Sequence, residues 1–136
     1  MEIANKKIHP SVLLYLLSMV FPIFINAWTL LGFMGLLIGW IGLLGGDLLI
    51  GLPWSSNLFY LISLFGKKLN LKIRIAFSTI ATTFGLVALG IREIPENEGG
   101  GNTEVYVGIG FTLWIASYTY LLVDQLKELR NKSIGG

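Results

Sequence analysis

Residues 27–57 read AWTLLGFMGLLIGWIGLLGGDLLIGLPWSSN, and the placement of this stretch decides how the whole chain is arranged. Gly32, Gly35, Gly39, Gly42 and Gly46 recur at spacings of 3, 4, 3 and 4. On a helix such positions share one face, leaving a smooth strip that another backbone can approach closely. Membrane helices associate through strips of this kind, because hydrocarbon offers no hydrophobic drive between them. We therefore read the glycines as a helix-packing face, turned toward the rest of the chain or a second copy. The functional counterpart is a groove for a lipid tail or a partner helix. Trp28, Trp40, Trp54 and Tyr60 frame the region, as aromatic residues do at a membrane–water boundary. Turn formers stand on both sides of Asp47, at Gly45-Gly46 and at Gly51 to Pro53. This pattern predicts a re-entrant or interfacial helical segment over 32–51. A second crossing at 53–68 follows it, with Ser55, Ser56 and Asn57 as candidate N-caps. The rival arrangement crosses at 31–51 and lays 55–66 along the opposite surface.

The rest of the chain points to the same surroundings. Of its 136 residues 54% are hydrophobic and only 13% charged, with a mean hydropathy of +0.71. A water-soluble domain carries roughly 25% charged residues. No charge occurs from Pro10 to Gly46, from Ile75 to Ile91 or from Val105 to Val123, and mostly apolar runs of about 17–25 residues are membrane-span candidates. A soluble enzyme, a nucleic-acid module and a disordered tail are all excluded by this composition. What remains is a single integral membrane domain over 1–136, an all-α fold of four transmembrane helices. The absence of Cys removes disulfides, thiolate metal sites and Cys nucleophiles together. The single His, His9, lies outside the apolar runs and reads as a solvated or capping residue rather than a metal ligand.

Charge placement sets the orientation. Short cytoplasmic loops collect Lys and Arg. Lys6, Lys7, Lys67, Lys68, Lys72, Arg74, Lys127, Arg130 and Lys132 fall at the two termini and in one loop, against Glu2, Asp124 and Glu128, a net charge of +6. Arg92 stands with Glu93, Glu96, Glu98, Glu104 and, if it faces the same way, Asp47, a net charge of −4. Both termini and the 67–74 loop are thus expected in the cytoplasm, and 92–104 outside as a hairpin. The predicted spans are 11–30, 53–68, 75–91 and 104–123. Lys6-Lys7 before the apolar Val12 to Ile25 mimics a signal peptide. A cut after Ala27 would put Ile25 where a small residue is needed, so the segment is read as an uncleaved first span.

Local signals refine these spans. Pro10 suits a first helical turn, while Pro22 should kink or end the regular part of the helix. Ser78, Thr79, Thr82 and Thr83 can bond back to their own helix or across to a neighbour. Thr103 is a candidate N-cap for the last span. Gly108 and Thr112 form a small-residue face there, and Tyr118 and Tyr120 are candidate anchors at the inner interface. Glu128 and Lys132 form an i,i+4 pair on a helical extension.

Trp28, then Gly39-Trp40-Ile41-Gly42, then Pro53-Trp54-Ser55-Ser56-Asn57-Leu58, a basic loop and Gly110-Phe111-Thr112-Leu113-Trp114 give the chain a family likeness. It resembles small bacterial inner-membrane proteins without an assigned activity, in which a Gly-Trp-x-Gly segment precedes a Trp-x-x-Asn motif. Ser55-Ser56 stand where that pattern has an apolar residue and Ala, and Leu58 where it has Pro. The resemblance covers most of the chain. It implies an outer-leaflet placement for 32–52 and carries no function.

Candidate chemistry is sparse. Asp47 is the single ionisable side chain within an otherwise apolar run, and such residues usually face a cavity or a partner. One reading makes it a proton or cation site, paired with Arg92. The other places it in a wet turn. The acidic hairpin lacks the spacing of a Ca²⁺ loop, and no phosphate loop or catalytic constellation is present. No cofactor, metal or nucleic-acid partner is expected; the lipid bilayer, a second copy or another membrane protein is. The expected function is therefore non-enzymatic, acting through helix–helix or partner binding as an accessory subunit or an immunity-type protein. The alternative is a small ion- or proton-coupled transporter or channel using Asp47.

Overall fold

In the computed structural model, residues 7–25, 30–95 and 99–136 are described. Trp28, Lys6, Glu96 and Glu98, which the sequence reading used, lie outside them. The fold is mostly helical, as expected, but it also contains two small sheets that an all-α reading omits.

The chain opens with α1 (Pro10–Val20). His9 caps it, its Nδ1 accepting from the Ser11 amide at 3.3 Å, and Pro10 occupies the first turn, where its missing N–H costs nothing. The helix stops two residues before Pro22 rather than running on toward 30. Phe21 is already extended, as residues preceding proline tend to be. Beyond it lies β1 (Pro22–Ile25), the central strand of a sheet ordered β2-β1-β5 with β2 (Leu30–Leu31) and β5 (Tyr106–Val107), all antiparallel. A second hairpin pairs β3 (Glu93–Pro95) with β4 (Asn102–Glu104).

The glycine-rich segment forms two short helices, α2 (Gly32–Ile38) and α3 (Trp40–Leu44), joined at Gly39. Helix α2 lies against α1, and α3 against α4 (Leu48–Phe65). This helix starts before the expected 53, because Asp47 caps it: Oδ1 accepts from the amides of Leu49 (3.0 Å) and Ile50 (3.4 Å). Pro53 sits inside it. The candidate caps instead bond back to their own helix, Ser55 Oγ to Leu52 O (2.8 Å), Ser56 Oγ to Pro53 O (2.5 Å) and Asn57 Nδ2 to Trp54 O (2.9 Å). With 18 residues, α4 is about 27 Å long.

Next come α5 (Leu71–Leu86), capped by Asn70 and extended by a 3₁₀ turn at Val87–Gly90, and α6 (Ile109–Ile134). Helix α6 begins at 109, not 104, because 102–107 is taken up by strand pairing. Thr103 therefore lies in β4, and Gly108 is the residue that precedes the helix. Gly108 and Gly110 give the close approach here, since a Cβ on either would strike Pro22 O.

Among the described residues, two helical stretches are long and apolar enough to cross a membrane, Leu48–Phe65 and Leu71–Gly90. Helix α1 packs on α6, α6 on α5, and α5 on α4. The strands and Asp47 gather at one end of this bundle. The loop with Lys67, Lys68, Lys72 and Arg74 lies at the other. Lys132 Nζ meets Glu128 Oε1 at 2.7 Å on the last turns of α6.

Candidate functional site

The interior of the bundle is lined by polar residues at helical spacing: Ser11, Tyr15 and Ser18 on α1; Ser56, Asn57, Tyr60 and Ser63 on α4; Trp114, Ser117, Tyr118 and Gln125 on α6. All are buried, while Leu13, Leu16, Leu37, Leu44, Leu58 and Phe65 face outward. The polarity of an ordinary amphipathic helix is reversed.

Asn57 is the hub. Its Oδ1 accepts from Tyr15 Oη (2.8 Å), Tyr118 Oη (2.9 Å) and Trp114 Nε1 (3.0 Å). Because an indole N–H can only donate, the contact with Trp114 fixes which amide atom is oxygen. Ser56 gives its hydrogen to Pro53 O, so the Tyr118 hydroxyl hydrogen is shared between Asn57 and Ser56 Oγ, 3.1 Å away. Above the hub the rings of Tyr15, Tyr60 and Tyr118 stack, with centroids 4.9 Å (15–60) and 4.8 Å (60–118) apart. Tyr60 Oη reaches Ser11 Oγ at 2.6 Å. Tyr60 and Tyr118 thus serve the core, not the interfaces the sequence suggested. Tyr120 remains exposed, edge-on to His9.

A second node lies farther toward the basic loop. Ser78 Oγ donates to Gln125 Oε1 (2.7 Å), Gln125 Nε2 to Ser63 Oγ (2.8 Å) and Ser63 Oγ to Arg74 O (2.8 Å). Arg74 Nε returns to Ser63 O at 2.9 Å. Thr79 and Thr82 bond back to the carbonyls four residues earlier.

On the strand side of Asn57 the interior opens into a pocket of about 400 Å³. Ile50, Pro53, Trp54 and Asn57 line it from α4 at i, i+3, i+4 and i+7, facing Gly35, Gly39 and Gly42. Ala88, Phe111 and Trp114 close it, and no ionisable side chain lines it. Its polar side chains are engaged within the protein, Trp54 Nε1 donating to Leu36 O at 2.8 Å.

The glycines act within the chain. A Cβ on Gly32 would collide with Ser18 O; one on Gly35 would lie 2.5 Å from Ile23 Cδ1, one on Gly39 2.8 Å from Trp54 Cδ1, and one on Gly42 2.5 Å from Ile50 Cγ2. Gly46 has a φ of +75° and open space beside it, so it makes the turn into Asp47 rather than a contact. Asp47 and Arg92 border a second hollow of about 350 Å³ with Glu93 and Asn102. The two are not ion-paired: among the described residues the ion pairs are His9–Asp124 and Glu128–Lys132.

Asn57 is the residue that sequence reasoning passed over. Its signal was the polar stripe at helical spacing inside an apolar run, which a search for caps disguised. No protein-family model, curated protein or solved structure matches the chain.

Proposed function

We propose that the chain is a non-enzymatic integral protein of a bacterial inner membrane that binds an apolar partner in the pocket between the glycine helices and α4. The pocket carries this reading: it is large enough for a ligand and free of charged lining. The reversed polarity of the bundle supports the membrane setting, since contiguous apolar surface on this scale is a liability in water. The accessory-subunit and immunity-type roles both use such a surface.

Four crossings with both termini in the cytoplasm agree with the segregation of charge to the two ends. The first crossing is then composite. Eleven helical residues and four extended ones reach about 30 Å, the thickness of the hydrocarbon core. Pairing of β1 on both edges satisfies backbone that could not be left bare in lipid.

Crosslinking in native membranes tests the binding role. Gly39→Leu and Gly42→Leu should remove crosslinked partners while the chain stays in the membrane. Unchanged partners, oligomer and protein level would contradict it. A transporter using Asp47 and Arg92 draws on the polar hollow they share. It requires that Asp47→Asn abolish a flux measured in liposomes.

A further inference from the structure

Building on that reading, we infer that the pocket holds one acyl chain of a membrane phospholipid, inserted tail first from the leaflet on the strand side.

Size comes first. A volume of about 400 Å³ holds roughly thirteen units of the ~30 Å³ that a water occupies, and a methylene is of similar bulk. A chain one methylene wide fits a space of this size.

Depth agrees. Asn57 is ten residues beyond Asp47 on α4, about 15 Å along the axis. That is half of the ~30 Å hydrocarbon core, the reach of a single leaflet. Asn57 therefore marks the floor, and the hydrogen bonds that knit it to Tyr15, Trp114 and Tyr118 form a wall across the bundle at the bilayer midplane.

Chemistry selects the tail. A charged headgroup inside would meet a site lined by no ionisable residue, and a buried charge without a partner is costly, so the tail enters and the charged end stays outside. The indole N–H groups of Trp54 and Trp114 are already given to Leu36 O and Asn57 Oδ1. Of the lining residues, Ile38 and Ile41 are more than half exposed. On a membrane-embedded chain these face hydrocarbon, so the supply of acyl chains is the bilayer itself.

Trp114 reports occupancy, because it lines the pocket and is only 8% exposed. A chain with Trp28 and Trp40 replaced by Phe keeps the two pocket-lining indoles, Trp54 and Trp114, and is reconstituted in vesicles of phospholipid brominated along the acyl chains. Its fluorescence should fall to less than half of its value in unbrominated vesicles. Ala88→Phe, which fills the pocket, should at least halve that quenching; Ile94→Phe serves the same purpose should Ala88→Phe fail to fold. Unquenched indoles, equal quenching in the filled variants, or quenching by added brominated fatty acid alone would overturn the inference. Alkaline wash of membranes carrying the unsubstituted chain separates the acyl chain from the membrane setting: retention of the chain with unquenched indoles refutes the acyl chain alone, and release of the chain refutes the membrane reading beneath it.

Discussion

The two halves of this molecule are held together by different means. Toward the basic loop, the helices meet through side-chain hydrogen bonds centred on Asn57 and on Ser63, Ser78 and Gln125. Toward the strands, α3 and the Gly39 before it meet α4 through bare backbone at Gly39, Gly42 and Gly51, α2 meets α1 at Gly32, and a pocket is left between them. In hydrocarbon the apolar surface of a helix gains little by turning inward, so specificity must come from polar contacts or from close fit. One half uses the first and is filled. The other uses the second and keeps room for a guest.

This comparison breaks most readily at the hub. Asn57→Leu leaves the Trp114 N–H and the Tyr15 hydroxyl without an acceptor. It should cost about 2–4 kcal/mol, at the several-bond end of what buried orphans and membrane hydrogen bonds contribute. Unfolding in mixed detergent with SDS measures it. In the other half, Gly32→Ala presses a methyl against the backbone of α1, which cannot yield as a side chain can; about 1–3 kcal/mol should be lost by the same assay. Gln125→Leu ranks lower. Ser63 and Ser78 lie 2.6 Å apart and can turn to each other, so about 1 kcal/mol is expected. Smallest is Asp47→Asn, within about 0.5 kcal/mol, because Asn caps a helix as well as Asp does, whereas Asp47→Ala should lose about 1 kcal/mol. A cost for Asp47→Asn equal to that for Asp47→Ala would show that its charge matters beyond capping.

How much of this was legible in the sequence follows the same division. The glycine spacing suggested one shared packing face; in the structure the glycines have different neighbours, Ser18 and Ile23 for Gly32 and Gly35, Trp54 and Ile50 for Gly39 and Gly42. Pro22 signalled the end of α1. The strands were not legible. Two to four residues of Ile, Phe, Leu and Val carry no alternation that separates them from an apolar helix, and pairing partners as distant as Phe24 and Val107 leave no local trace. The hub was misread for a chemical reason. Pro53, Ser55, Ser56 and Asn57 close together favour a helix start, and only contact with α1 and α6 turns Ser56 and Asn57 into interior groups. Asp47 was singled out as a charge in an apolar run, and its carboxylate is engaged with the first amides of α4.

The central claim is that the basic loop and the strand hairpin stand on opposite faces of a membrane, with the polar seam between them. Since the chain contains no Cys, single cysteines can be introduced without background. Lys68→Cys and Asn102→Cys should be probed in intact cells with a membrane-impermeant maleimide. The account predicts that the cysteine at 102 reacts at once, while the one at 68 reacts only after permeabilisation. Labelling of both in intact cells, of neither, or of 68 alone would contradict it.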